Sequence, residues 1–264
     1  MTTLILRRVL SFLALVIAFS SDAYGQDALP TPESVAQQKL NPLAYGITLP
    51  AMLSFGLLPH GEVQSTLNFQ PVIPFRLSDD WRVITRSNAS IIRNPEPDEV
   101  TGLADSNISL FLTPAKAEKW VWGAGPILQF PTATNTALGT GKWCAGPTGA
   151  LVYASGPWVN GVLASQLWSF AGPGNRAPVS LTQIEWQVSY TFSDGWYVQS
   201  APTISYDWKA PSGQGWTIPV GVDGGKAFAI GSQKMSFQVG VYYNVKKPSG
   251  TPGWSLQTEL SWLY

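Results

Sequence analysis

The chain is poor in the residues on which most chemistry depends. Cys144 is its only cysteine and His60 its only histidine. One cysteine excludes an intrachain disulfide and a thiolate metal cluster, and leaves Cys144 to be read as a small wall residue. His60 sits in the tight turn Pro59-His60-Gly61, with no Ser-Asn pair after it, so the usual constellations for nucleophilic or water-activating hydrolysis are missing. The string Gly139-Thr140-Gly141-Lys142 lacks the full spacing of a phosphate loop and a helix after it, and reads as part of a hairpin. No catalytic, cofactor-binding or metal-ligating residue is therefore assigned. Charge is scarce too. Only 12% of residues are charged, with acids and bases cancelling to a net charge of zero, which gives no basic surface for nucleic acid. Beyond residue 25, no run approaches the roughly twenty apolar residues that a membrane-spanning helix needs.

Aromatic residues are plentiful at 12%, including 12 tryptophans. Their placement is periodic. In the last segment, Trp254, Leu256, Thr258, Leu260, Trp262 and Tyr264 share one parity, while Ser255, Gln257, Glu259 and Ser261 take the other. A strand has a side-chain period of two, and a wall with lipid outside and water inside needs that alternation. An aromatic last residue preceded by alternating apolar positions resembles the closing strand of bacterial outer-membrane proteins. On that likeness the barrel-assembly machinery is expected as a partner, reading the strand that ends at Tyr264.

The first 25 residues are different in kind. Arg7 and Arg8 precede an apolar run from Val9 to Phe19, followed by Ala23 and Gly25 as small residues, the layout of a secretory signal peptide. The mature chain is expected to begin near Gln26. Residues 26–46 form an N-terminal segment in which Thr31 caps a short helix with Pro32 at its first position, stopped near Leu40 by Asn41 and Pro42. The segment is either a periplasmic tail or a plug folded back into a lumen.

From Ile47 the chain divides into segments of the length a tilted membrane strand requires, about twelve of them. Most sort cleanly: Val63, Leu67 and Phe75 oppose Gln64, Asn68 and Arg76, and Ile184, Trp186 and Val188 oppose Gln183, Glu185 and Gln187. Pro71 and Pro74 each delete a ladder donor, so a bulge or bend is expected there. Gly123 and Gly125, with the glycines of 142–153, suit a tightly coiled wall. The segment from Trp158 to Ser169 is ambiguous, and its Asn160 and Gln166 are placed inside. Joints on one side are tight, as at Ser193-Asp194-Gly195, and those opposite are long and rich in Gly and Pro, as at 131–141. Outer-membrane barrels sort their connections this way, with only Pro59-His60-Gly61 breaking the pattern. The expected fold is all-β: a single antiparallel transmembrane β-barrel of the outer-membrane type over residues 47–264, located in the cell outer membrane with lipid around it.

Inside, Arg82 and Arg86 share a face at spacing four and are expected to form one side of a constriction, with Glu185, Asp207 and Glu259 opposite and Asp105 also inward. Opposed charges of this kind bias ion choice in a pore. The alternative is that the charges pair and close the lumen. Trp158, Trp168 and Tyr242, if inward, offer aromatic surface to a solute. The loop 131–141 could fold in and narrow the mouth.

The strings LNFQPVIPF with DDW (Leu67 to Trp81), WVWGAGPILQFPTATNTALGTGKWCAGPTG (Trp120 to Gly149), GPWVNGVLASQLWSFAG and YDW resemble the outer-membrane transporter family named for meta-pathway phenol-degradation clusters. The resemblance covers nearly all of the mature chain. It implies a barrel passing small molecules, with no catalytic residue to carry over. Cys144 between Trp143 and Ala145, and the short joint at His60, depart from the family pattern. The combined expectation is passive uptake of a small-molecule solute, aromatic or hydrophobic ones among them. A closed structural or surface-binding barrel and an outer-membrane enzyme are the competing classes.

Overall fold

The computed structural model describes residues 31–95, 99–116 and 119–264. The expected signal peptide and the chain start near Gln26 lie outside the described residues. No helix among the described residues is long and apolar enough to cross a membrane. The strands are β1 (Thr48–Leu57), β2 (Val63–Phe69), β3 (Val72–Arg76), β4 (Trp81–Asn94), β5 (Val100–Leu103), β6 (Ser106–Pro114), β7 (Trp120–Phe130) and β8 (Trp143–Ser155). They continue as β9 (Trp158–Ala171), β10 (Ser180–Thr191), β11 (Trp196–Ser200), β12 (Thr203–Asp207), β13 (Trp216–Ile230), β14 (Gln233–Lys246) and β15 (Trp254–Leu263).

Three pairs, β2 with β3, β5 with β6 and β11 with β12, are halves of single wall strands, so the described residues form twelve antiparallel staves. The first meets the last: Thr48 lies opposite Leu263 and Gly56 opposite Ser255, which closes the ring. Closure removes the free edges that lipid could not hydrogen-bond. The break between β2 and β3 falls at Gln70 and Pro71. Pairing with β4 resumes beyond it in the same register, so the proline interrupts the ladder without the expected bulge.

Alternation makes the outer face apolar. Val222, Leu256, Val241 and Val188 are exposed in mid-strand, where lipid tails cover them. Aromatic contacts frame that belt at both levels. Trp81 with Trp122, Trp120 with Tyr153 and Trp158 with Tyr190 ring the end nearest the chain termini. Phe130 with Trp143, Tyr206 with Trp216 and Tyr243 with Trp254 ring the other. Such girdles sit at headgroup depth. Turns at the termini end are tight, as at 156–157 and 231–232, while the opposite end carries 131–142, 172–179 and 208–215. The termini end is therefore periplasmic.

Strand β9 reverses the expected parity. Val159 and Leu167 are inside at 2% and 1% exposure, whereas Trp158 and Trp168 are on the outer face at 44% and 51%. The two tryptophans belong to the girdles, one at each end of the strand. Asn160 and Gln166 share their parity and face outward too. Gln166 finds a local partner there, accepting from the Thr182 hydroxyl, which itself accepts from Trp208 Nε1 at 2.8 Å. Two polar residues at membrane depth had suggested the inside; apolar packing within the lumen outweighs them.

Leu167 packs with Ile127 and Cys144, and Val159 against helix α1 (Pro32–Leu40), which has Thr31 as N-cap, accepting from the Ser34 N–H, and Asn41 as C-cap. The helix does not trail from the barrel. Val35, Ala36, Leu40 and the following Leu43 are buried among the inward side chains Ile84, Phe111, Val121, Val152, Val159 and Leu263. Burying Val35, Leu40 and Leu43 is worth on the order of 5 kcal/mol. Hydrogen bonds tie the segment to the periplasmic rim: Gln37 to the Gly156 carbonyl, Gln38 to Tyr264, Tyr45 to Pro114, and Glu33 accepting from the Asp194 N–H. The segment thus fills the periplasmic mouth.

Candidate functional site

Above α1 the lumen holds a cavity of about 410 Å³. Its wall is dominated by carboxamides, among them Asn68, Gln70, Asn88, Gln187, Gln199 and Gln257, interspersed with Val72, Met52, Pro202 and Pro219. Amides both donate and accept, so this lining suits solutes with hydrogen-bonding groups without demanding a charge.

Four of the five acidic and basic residues of this lining are paired. Arg86 on β4, the third stave, reaches Glu185 on β10, the eighth of twelve, so the contact crosses the lumen. Its Nη2 lies 2.9 Å from Oε2 and 3.2 Å from Oε1, and Nη1 lies 3.3 Å from Oε1. Gln70 accepts a further bond from Nη2 at 3.2 Å. A fork of this kind fixes both side chains across the passage. Glu259 on β15 pairs instead with Lys39 of α1 at 3.2 Å, and Lys39 also donates to Gln238. Lys39 stands over the Tyr197 ring, 5.5 Å from its centroid. A third cluster centres on Asp223. It accepts from Tyr242 Oη at 2.5 Å and from Gln199 at 3.4 Å, and Tyr197 donates to Gln238 at 3.0 Å beside it.

The expected constriction is thus only partly assembled. Arg86 and Glu185 face each other as envisaged. Arg82 does not join them: its guanidinium lies over the Tyr45 ring, 4.3 Å from the centroid, near the periplasmic end. Glu259 faces a helix lysine rather than an arginine of the wall. Asp207 is exposed at the extracellular end of β12, accepting from the Lys209 N–H, so it lines the rim and not the lumen. Asp105 lies between β5 and β6 and binds the loop 131–142. Of the three aromatic candidates, Tyr242 is inward at 6% exposure, while Trp158 and Trp168 face lipid.

Lys39, Tyr197 and Asp223 were not singled out from the sequence. For Asp223 the signal was present, because its parity opposes that of Trp216, Val220 and Val222. Lys39 has none, since nothing in a short polar helix announces an acidic partner 220 residues away on β15, a separation read directly from the numbering of Lys39 and Glu259.

No protein-family model matches the chain, and no curated protein matches it. Solved structures do. An outer membrane channel from Pseudomonas putida F1 superposes with a TM-score of 0.62 at 13% identity, over 93% of this chain and 100% of that one. The Pseudomonas putida toluene transporter TodX gives 0.42 at 9% identity over 89% and 91%, and the β domain of the Bordetella autotransporter Brka 0.42 at 12% over 83% and 99%. The last two are too distant to add weight. With the lipid-facing belt and the closed wall, the likeness of fold makes this chain a bacterial outer-membrane β-barrel.

Proposed function

We propose that the barrel is a passive conduit for small molecules across the outer membrane and has no enzymatic role. The observation that carries this reading is the amide-lined cavity of about 410 Å³ enclosed by a lipid-facing wall. A barrel needing only to be a scaffold would gain by filling that space with apolar side chains. The channel description of the Pseudomonas putida F1 structure supports the reading, as does the resemblance of the LGTGKW and WSFAG strings to the meta-pathway phenol-degradation transporters. The resemblance names no substrate beyond a small molecule. With Trp158 and Trp168 turned to lipid, Tyr242 alone of the three aromatic candidates is left to favour an aromatic or hydrophobic cargo, and the polar lining favours one that also carries a hydrogen-bonding group. Arg86 with Glu185 and Lys39 with Glu259 neutralise one another. This leaves Asp223, bonded to Tyr242 and Gln199, as the one acidic or basic residue of the cavity lining without an opposite charge paired to it, which suits an uncharged cargo with a hydrogen-bonding group. His60 lies on an exposed turn, which fits a barrel without hydrolytic chemistry.

In the same reading, residues 1–25 are an export signal, 26–46 an N-terminal segment containing α1, and 47–264 the barrel proper, with β15 and Tyr264 presented to the assembly machinery. A second reading, a closed barrel that transports nothing, is favoured by α1 in the periplasmic mouth and by the ion pair across the lumen. Planar-bilayer recording separates the two. Refolded Gln26–Tyr264 is expected to give small current steps that grow when residues 26–46 are removed. A heat-modifiable, folded barrel that stays silent in both forms would establish the closed reading.

A further inference from the structure

The loop 131–142 between β7 and β8 is neither free nor folded outward. Asp105 on the neighbouring stave gathers it: Oδ2 accepts from Thr140 N at 2.6 Å, Thr140 Oγ1 at 2.8 Å and Gly141 N at 3.2 Å, and Oδ1 accepts from Ala133 N at 3.2 Å. Both ends of the loop are thereby drawn to one carboxylate. From the opposite flank, Arg176 of the 172–179 connection donates to the carbonyls of Thr136 at 2.9 Å, Thr140 at 3.0 Å and Gly139. The loop crest also has an inner seat. Thr134 exchanges hydrogen bonds with Leu103, and Leu138 is buried at 6% exposure over Gly102, where any side chain would collide with Thr134 and Leu138. Gly139 packs against Asp105 with equal closeness.

The direction of the crest matters most. The loop leaves the wall between the fifth and sixth staves. Yet Ala137 lines an outer vestibule of about 830 Å³ together with His60 and Gln64 on the β1–β2 side, Asn94 at the end of β4, and Lys247 and Ser249 from the β14–β15 connection. Of these, the β14–β15 connection lies opposite the root of the loop, whereas Asn94 ends the stave beside that of Asp105. The crest therefore projects toward the vestibule, and the vestibule lies on the side bounded by β14, β15 and β1–β4. The cavity of about 410 Å³ is lined by β1–β4 and β10–β15, and by none of the strands β5–β9 from which the loop springs.

We propose that Asp105 and Arg176 are positioning residues that fix this loop as a strut across the mouth, so that the strut, rather than the barrel's diameter, sets the largest solute admitted. The proposal rests on the conduit reading and goes beyond it. It makes Asp105 a fastening for backbone N–H groups, in place of the charge filter read from its alternation, and gives Arg176 a role that its sequence context does not suggest.

Liposome swelling with neutral sugars of graded size tests it, using the refolded barrel, Asp105→Ala, Arg176→Ala and a variant with residues 133–139 replaced by a short glycine-serine link. Each fastening residue contributes several charge-assisted bonds, so either substitution should raise the trisaccharide-to-monosaccharide swelling ratio roughly tenfold, and the strutless form should raise it further. Arg176→Lys, which keeps one donor to the carbonyls, should fall between native and Arg176→Ala. Heat-modifiable gel mobility must stay native, and if Asp105→Ala fails to fold, the two Arg176 variants carry the comparison alone. Monosaccharide passage with an unchanged size cut-off in all folded variants overturns the strut. Absence of swelling in every form, including the strutless one, overturns the conduit reading instead.

Discussion

Replacing Glu185 with glutamine leaves Arg86 as an unpaired cation in the middle of the passage, and replacing Arg86 with glutamine leaves the opposite charge in the same place. Both side chains are about one-sixth exposed, 15% and 19%, so each faces some water but little bulk solvent. A permeating ion passing about 5 Å from the orphaned charge feels about 0.8 kcal/mol even with the dielectric constant of water. That is about a fourfold change in local concentration, in opposite senses for cations and anions, so the permeability ratio should move about fifteenfold in each single variant. Glu185→Gln should favour anions, Arg86→Gln cations, and the double variant neither. Reversal potentials across a planar bilayer with a KCl gradient read this directly. Because the fork spans the lumen, the single variants should also conduct more than the native barrel, while the double variant tests whether steric relief alone is enough. If both single variants shift selectivity in the same direction, or neither shifts it, the pair does not stand in the permeation path.

Lys39→Met leaves Glu259 without its cation, and removing one partner from a largely buried pair costs about 3 kcal/mol; hydrogen exchange over 32–43 should accelerate accordingly, with the strands other than β15 unchanged. On the outer face, Val222→Arg should cost about 2–4 kcal/mol in vesicle-based unfolding, as expected for a cation at mid-belt, whereas Asn244→Arg, pointing into the lumen, should cost far less. The Glu33 carboxyl is held below the usual carboxylate range by its own backbone N–H, then by the Thr31 hydroxyl and the Asp194 N–H. Its contribution to seating α1 is thus present above the ordinary glutamate pKa and is lost as pH falls through the lowered value, with Glu33→Gln abolishing the acid dependence of helix protection.

Most of the wall was legible because lipid imposes one rule on every stave. The alternation along β10, β14 and β15, together with the sorting of turns, is enough to set strand number, orientation and location. The rule fails where the inside is not water. Ile84, Phe111, Val121 and Val152 are inward and apolar because α1 lies on them, and from the sequence they read as noise in an otherwise polar lumen. The same contact accounts for Val159 on β9, while Leu167 is held inside by Ile127 and Cys144, and together they send Asn160 and Gln166 outward. The site was less legible for a different reason. Parity tells which way a side chain points, but not its height in the barrel or what comes from loops and termini. Arg82 and Arg86 share a face, yet Tyr45 claims one and Glu185 the other; Asp105 points inward and meets a loop; Asp207 is the last residue of its strand, at the rim.

The place where the ring closes gives α1 a part in building the molecule. Backbone bonds between Ile47 and Tyr264 fasten the first stave to the last, and α1 joins that seam directly through Gln38 to the Tyr264 carbonyl and Lys39 to Glu259. The chain leading into β1 is therefore clasped by the twelfth stave. Docking of α1 and closure of the seam draw on the same residues, so an open sheet has no complete seat for the helix, and the helix can be fully seated only in a finished ring.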